Sequence, residues 1–391
     1  MIAIFFLGIG NYQEVTYSDK NAGINIHTKY FTEALNHIYK PEKIYLVMTS
    51  DAQQKHSAEL ELKIKFEPIL IPTGKSTDEI WEMFSLIAES IPENSELIID
   101  ITHGFRSQPM LALSIAIFLR VVKSVKIKKI IYGAFEAKNE DNIAPIFNLT
   151  SFINLIDWSY ATDMFIKHGS GNLLSSLLTN LHEQVRIEQQ QFTNLKTFGS
   201  LLEKLTESLT FIRPQEVSRY GKELPAKLKK INYDIKQIQE VKPLQYLLEK
   251  IPRSFSSLVI EDENIFTEAG FKMQAEMIKY YLETQQYVQA ITLSREFIVS
   301  LVCKHLGLKF TKRADRTASE DRLNEWTSFH SKGFQLEEYP SKLADLWGKI
   351  RDARNDINHA GMRDSTAPAS KLKKSIIDYC TETIKLINHA H

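Results

Sequence analysis

Short apolar runs alternate with longer stretches of helical periodicity through the N-terminal part of the chain. Ile2–Leu7, Lys43–Met48, Phe66–Ile71, Glu96–Asp100 and Ile127–Tyr132 have strand length and β-branched or aromatic content. Between them lie Thr28–Tyr39, Ala52–Leu62, Thr77–Ile91 and Ser107–Val122, with apolar residues at helical spacing; Trp81, Phe84, Ile87 and Ala88 show it well. The alternation predicts βαβ units with right-handed crossovers and a parallel sheet. After Gly133 the pattern changes. Phe135–Lys138 and Ala144–Leu149 flank the polar Asn139–Asn142, which predicts a hairpin added at the sheet edge.

Beyond Trp158 the strand pattern stops. Gly169-Ser170-Gly171 marks a break, and Asn172 to Asp262 reads as helices with leucine stripes (Leu173, Leu174, Leu177, Leu178; then Leu201, Leu202, Leu205). Pro214 and Pro225 predict turns or helix starts, and Pro243 and Pro252 punctuate the rest. Ile265–Thr284, Tyr287–His305, Leu343–Ala360 and Leu372–Asn388 predict a four-helix C-terminal core, with the polar Lys309–Tyr339 as a flexible insertion. The fold class is α/β followed by all-α, in three parts: 1–165, a helical connector 166–262, and 263–391.

A chain of 391 residues exceeds what one core usually serves, consistent with several domains. Lys plus Arg equals Asp plus Glu at 48 each, so no global field points to nucleic acid or membrane. Cys303 and Cys380 are too few for a disulfide scaffold and unclustered for zinc. The apolar start MIAIFFLGIG lacks a basic flank and a cleavage pattern, and the run Met110–Val122 is interrupted by Arg120. A cytoplasmic protein without a membrane partner is expected.

Ligands of such sheets sit beyond the carboxyl ends of the strands. Those ends run into Gly8, Gly10, Asn11 and Tyr12; into Thr49 and Ser50; into Thr73 and Gly74; into Asp100 through Ser107; and into Gly133. Glycine and hydroxyl residues let backbone N–H groups approach phosphates or polar bases, although the same residues also make plain tight turns. Five such loops on one face favour a nucleotide-like ligand. Gly8-Ile9-Gly10 lacks the third glycine of a dinucleotide fingerprint. Gly74-Lys75-Ser76 lacks the upstream glycine of a P-loop, which would fall at Ile69.

The most unusual stretch is Asp100-Ile101-Thr102-His103-Gly104-Phe105-Arg106-Ser107, which gathers hydrogen-bonding groups, an imidazole and a cation in one turn. Asp100, His103 and Ser107 are too close in one loop for a hydrolase triad. The stretch resembles the DxTHG motif of a group of CRISPR-associated proteins, and Phe6–Tyr17, Ile71–Phe84, Ile131–Ala137 and Leu149–Phe165 match that group in order. The resemblance covers roughly the first 165 residues. It implies a Rossmann-like CARF domain that dimerises and senses cyclic oligoadenylate made by type III CRISPR complexes, cyclic tetra-adenylate being the expected ring. Thr102, His103, Gly104, Phe105 and Arg106, with the loop residues above, are the candidate contacts.

Near the end of a C-terminal helix stands Arg351-Asp352-Ala353-Arg354-Asn355-Asp356-Ile357-Asn358-His359. Helix positions four or five apart lie near one side, so Arg354 and His359 are expected to address one phosphate together. The spacing is common by chance. In the penultimate helix behind a CARF-like domain, however, it resembles the R-x4–6-H motif of HEPN ribonucleases. That resemblance implies catalytic roles for Arg354 and His359; Asn355 matches the polar residue after the Arg, and Asp356 is given only an orienting role.

RNA can be cut through its own 2′-hydroxyl, leaving a 2′,3′-cyclic phosphate without a metal. Imidazole, with an ordinary pKa of ~6.5, exchanges protons near neutrality, and guanidinium offsets charge growing on phosphate oxygens. Two-fold symmetry would supply both acid and base. The expectation is a metal-independent endoribonuclease, a homodimer or a higher oligomer, activated by cyclic oligoadenylate and cutting single-stranded RNA in antiviral defence. The alternatives are a sensor or scaffold with an inactive HEPN-like domain, and a CARF domain that itself opens the ring through Thr102 and His103. A transcription factor is the weakest reading, since no basic recognition helix stands out.

Overall fold

Ile2–Leu7 form β1, whose Ala3 to Leu7 are all buried. Such an uninterrupted apolar strand belongs inside a sheet covered on both faces, and the computed structural model places it so. The structure describes residues 1–19, 23–103, 108–189, 193–238, 242–362 and 366–389. It divides into two units, Met1–Ile156 and Asp157–His391.

In the first unit β1 is followed by β2 (Val15–Asp19), β3 (Ile24–Thr28), β4 (Lys43–Met48), β5 (Glu67–Leu70), β6 (Glu96–Asp100), β7 (Lys126–Gly133) and β8 (Ile143–Asn148). They make one sheet in the order β3-β2-β8-β7-β6-β1-β4-β5. Strands β5, β4, β1, β6 and β7 run parallel. Successive side chains of β1 serve opposite layers. Ile4 and Phe6 pack with Ile87 of α3 (Thr77–Ser90) and Ile115 of α4 (Gln108–Val122). Ala3, Phe5 and Leu7 pack with Leu35 of α1 (Phe31–Tyr39) and Leu60 of α2 (Ser50–Leu60).

The sheet is mixed rather than wholly parallel. β8 pairs antiparallel with β7 itself (Ile131↔Asn148), whereas Phe135–Ala137, expected as a strand, is a 3-10 turn. β8 is not the edge either. The hairpin β2–β3 lies outside it, with β2 parallel to β8 (Thr16↔Ile143) and antiparallel to β3. Val15 and Tyr17 are buried while Thr16 and Ser18 are half-exposed, so a period-two signal was present. Thr28 ends β3, and the helix expected from there starts at Phe31.

Gly133 closes β7 against α1. A Cβ there would stand 2.6 Å from the ring of Phe31, which is fully buried. Gly133→Ala is therefore expected to cost about 1–3 kcal/mol through overpacking, visible as a lower denaturant midpoint with an unchanged slope.

The boundary between units falls within α5 (Thr150–His168). The second unit continues through α6 (Asn172–Gln189), α7 (Leu195–Thr210), α8 (Pro214–Gln237), α9 (Leu244–Leu248), α10 (Lys250–Ser254), α11 (Glu268–Glu283), α12 (Tyr287–His305), α13 (Arg313–Ser331), α14 (Glu338–Asn358) and α15 (Ala369–Lys385). A single buried cluster runs from Trp158 to Leu386 and joins residues of the expected connector and C-terminal segments. Tyr281 donates to the Leu209 carbonyl at 2.6 Å across them. Pro214 starts α8 as expected, but Pro225 lies inside that helix.

The expected flexible insertion is instead the packed helix α13. Only Ser319, Leu323 and Trp326 on it are buried, too narrow a stripe to read as periodicity. Polar contacts hold it: Arg316 to Glu296 at 2.6 Å, and Asn324 accepting from the Trp347 indole at 2.8 Å. Among the described residues no helix is long and apolar enough to cross a membrane.

Candidate functional site

The loop after β1 is fixed from three directions. The Tyr12 hydroxyl donates to the Gly8 carbonyl at 2.9 Å and accepts from the Gly8 N–H at 3.0 Å. Burial pushes that hydroxyl's pKa up to about 12, so it keeps its proton. Lys55 of α2 donates to the Ile9 carbonyl at 2.8 Å and to Asn11 Oδ1 at 2.6 Å, and His56 Nε2 lies 3.1 Å from the Gly10 carbonyl oxygen. At Gly8 a Cβ would meet the His103 carbonyl oxygen at 3.0 Å, so the first and fourth loops approach as backbones.

The fourth loop begins at Thr102, whose hydroxyl oxygen accepts from the Gly133 N–H at 2.8 Å and so ties β6 to β7. His103 Nε2 accepts from the Phe31 N–H at 3.2 Å, and its ring lies against Tyr12 with centroids 4.1 Å apart. Burial, with a smaller contribution from nearby His56, lowers the His103 pKa to about 3. The imidazole is neutral, and with Nε2 accepting, its proton sits on Nδ1.

These loops enclose a cleft of about 420 Å³. Of the sequence-predicted ligand residues, Gly8, Gly10, Asn11, Tyr12, Thr102, His103 and Gly133 line it. Thr49, Ser50, Thr73 and Gly74 do not. Thr49 is buried and caps α2, accepting from Ala52 N–H, and Ser50 is the first residue of that helix. The donors of the third loop are already satisfied: Glu79 Oε2 accepts from Gly74 N–H at 2.7 Å, Lys75 N–H at 3.0 Å and the Thr73 hydroxyl at 3.3 Å. These bonds hold the Glu79 carboxyl below its ordinary pKa. Gly104, Phe105 and Arg106 lie outside the described residues.

Ile9, Gln13, Tyr17, Lys29, Tyr132, Phe135 and Glu136 also line the cleft and were missed from sequence. Tyr17 sits on β2, and Lys29 directly follows β3. Both were lost with the unrecognised hairpin. Lys29 pairs with Glu59 at 2.6 Å, and the Tyr132 hydroxyl donates to Glu136 at 3.0 Å.

Beneath Thr102 lies Asp100, with no exposed surface. Its Oδ1 accepts from the Thr102 N–H at 2.8 Å, while Oδ2 has no partner among the described residues. Burial raises its pKa from the ordinary 3.8 to about 7, against the opposing hydrogen bonds of Thr102. The folded-state value is the higher one. The group's contribution to stability is thus full below about pH 3.8 and is lost as pH rises through about 7. Asp100→Asn removes this titration. Its stability relative to wild type should climb between pH 5 and 8, by on the order of 2–4 kcal/mol at most. Denaturant midpoints that differ by a constant amount across that range would contradict the assignment.

In the second unit, Arg354 and Asn355 occupy the last turns of α14 and His359 is its C-cap residue. Arg354 is half-buried and His359 exposed. A residue four positions on lies only about 40° round the helix, but one five positions on lies about 140° away. Asn358, not His359, is therefore the neighbour stacked over Arg354. Its terminal amide atom lies 2.8–3.2 Å from three guanidinium nitrogens. Asp356 is turned roughly 200° from Arg354 and lines a second cavity of about 540 Å³ with Asp352, His330, Lys371 and Tyr379. One of its carboxylate oxygens is buried without a partner among the described residues. Among the described residues no three His, Cys, Asp or Glu side chains lie close enough to share a metal ion.

Residues 2–136 match the family model described as the CARF domain of CRISPR system endoribonuclease Csx1. The N-terminal part of the chain carries a CARF domain. The CARF domain contains the entire cleft, from Gly8 to Glu136. Residues 154–261 match a second model, the second domain of CRISPR-associated protein MJ1674. The MJ1674 protein of Methanocaldococcus jannaschii is 26% identical over 296 residues, covering 74% of this chain and 42% of its own length. The chain thus spans less than half of that relative's length. The solved structure of Enterococcus italicus Csm6 bound to cyclic hexa-2′-fluoro-hexa-dAMP is similar at a TM-score of 0.45 and 10% identity, over 100% of this chain and 94% of that one.

Proposed function

We propose that the CARF domain binds cyclic oligoadenylate and that this binding activates metal-independent cleavage of single-stranded RNA at Arg354 and His359. The observation that carries the reading is the cleft of about 420 Å³ at the carboxyl ends of β1, β6 and β7, within a domain similar to that of an endoribonuclease. Its rim combines backbone approach at Gly8 and Gly10, aromatic rings at Tyr12, Tyr17 and Tyr132, and the Lys29 ammonium. Those groups suit phosphate, stacked base and sugar together. The volume lies at the small end of ligand sites, which span ~300–1,000 Å³. A ring of several nucleotides then needs a second copy of the chain, which favours a homodimer with the ligand on its axis.

Arg354 would hold the scissile phosphate, with Asn355 beside it, and His359 would move a proton to or from the 2′-hydroxyl or the leaving 5′-oxygen. Paired copies would place two such sets around one phosphate. Ring opening by the CARF domain itself is the less favoured reading. The His103 imidazole is neutral and its Nε2 is occupied, and the Thr102 hydroxyl oxygen is engaged by Gly133.

The test is cleavage of a labelled single-stranded RNA, with and without cyclic oligoadenylates of each ring size. One ring size should raise the rate by orders of magnitude. Equal rates with every ring and with none would refute activation, and a ligand consumed by an Arg354→Ala protein would favour the ring-opening reading.

A further inference from the structure

Gly10 lines the cleft, but His56 does not. The imidazole is buried on α2, and its Nε2 lies 3.1 Å from the Gly10 carbonyl oxygen. A carbonyl oxygen only accepts, so Nε2 carries a proton and donates it. The other ring nitrogen is held as well. Nδ1 stands 3.1 Å from the hydroxyl of the buried Tyr30, which shares its proton between Nδ1 and Glu59 Oε2 at 3.2 Å. Burial lowers the His56 pKa against the opposing bond from Gly10, so the ring is neutral and Nδ1 is free to accept. Tyr12 and Tyr30 pack on the imidazole, with ring centroids 5.0 and 5.7 Å away.

We infer that His56 is the positioning residue for the first loop of the ligand cleft: its Nε2–H holds the Gly10 carbonyl against α2 and so keeps that oxygen from a bound phosphate. The inference deepens, and rests on, the proposed binding of cyclic oligoadenylate in this cleft. A loop receives a phosphate through its N–H groups, whereas a carbonyl oxygen turned to the same place would repel it. The preceding residue, Lys55, takes the Ile9 carbonyl at 2.8 Å, so α2 binds two successive oxygens of the loop. Lys55 is long and exposed, while His56 is buried and fixed at both nitrogens, which makes His56 the firmer of the two holds. Glycine has more backbone freedom to lose than any other residue. Holding Gly10 before the ligand arrives removes part of that ordering from the binding step.

The experiment compares wild type, His56→Gln and His56→Phe in the full-length protein. Gln carries an amide N–H to about the position of Nε2, whereas Phe keeps a ring against Tyr12 and Tyr30 but donates nothing. Without ligand, amide hydrogen exchange over residues 8–13 should be faster in His56→Phe and near wild type in His56→Gln, with exchange in the rest of the sheet unchanged. With cyclic tetra-adenylate and cyclic hexa-adenylate as probes, calorimetry on the ring that binds wild type should show His56→Phe weaker by roughly 10-fold, the loss of one hydrogen bond. His56→Gln should recover most of that loss. Equal exchange in all three proteins, wild-type affinity in His56→Phe, or an equal loss in both variants overturns the inference. If the wild-type protein binds neither ring, the reading of the cleft itself falls, and the exchange rates alone decide whether His56 holds the loop.

Discussion

Replacing His359 with Ala should abolish activated RNA cleavage while leaving activator affinity unchanged. His359 is exposed at the end of α14 in the second unit, and every residue lining the N-terminal cleft lies in the first. Loss of a general acid–base group costs about 10²–10⁴-fold in rate. Arg354→Ala should behave alike for a different reason, since it removes the cation that offsets charge on the phosphate oxygens. In a mixed dimer one altered subunit should impair cleavage beyond a simple halving, because each cut would draw on both copies. Activity should persist in EDTA. A folded His359→Ala protein that cleaves at the wild-type rate in chelator would return Arg354 and His359 to structural residues.

The second large effect concerns the activator. The double variant Lys29→Ala, His103→Ala should bind it roughly two decades more weakly, from a charge-assisted hydrogen bond of ~1.5–3 kcal/mol and a neutral one of ~1 kcal/mol. Removing Lys29 breaks an exposed ion pair but leaves Glu59 its hydrogen bond from the Tyr30 hydroxyl, so it costs the fold little. Because burial holds the His103 pKa near 3, its share of the affinity should be the same at pH 5 and pH 8. At saturating activator the variant's cleavage rate should equal wild type. Calorimetry showing unchanged affinity would remove this cleft as the activator site.

Much of the fold could be read from residue pattern because its strands are buried on both faces and carry unbroken apolar runs, as β1 and β4 do. β2 and β3 escaped because Val15-Thr16-Tyr17-Ser18-Asp19 is short and half-polar beside such runs. With them went Tyr17 and Lys29, a third side of the cleft. The first, fourth and fifth loops do converge, but the third does not join them. Glu79 already supplies its anion, and only coordinates reveal that an internal carboxylate fills a cradle of glycine and hydroxyl donors. α13 was hidden for a related reason: its attachment depends on Arg316, Asn324 and Ser319 more than on an apolar stripe. Likewise, the R-x4-H spacing names Arg354 and His359 but does not say that the residue touching the Arg is Asn358.

The placement of β2 beside β8 orders the assembly of the domain in time. Thr16 must wait for Ile143 before its parallel ladder can form. A growing chain therefore carries the β2–β3 hairpin without its neighbour while β4 through β7 are still being made. Closing so long a loop is entropically unfavourable until many contacts form at once, and folds rich in such distant pairings fold slowly. Tyr17 on one side of the cleft and Tyr132 on the other meet only when that last seam closes. Until that seam closes, the cleft lacks the side that Tyr17 and Lys29 supply.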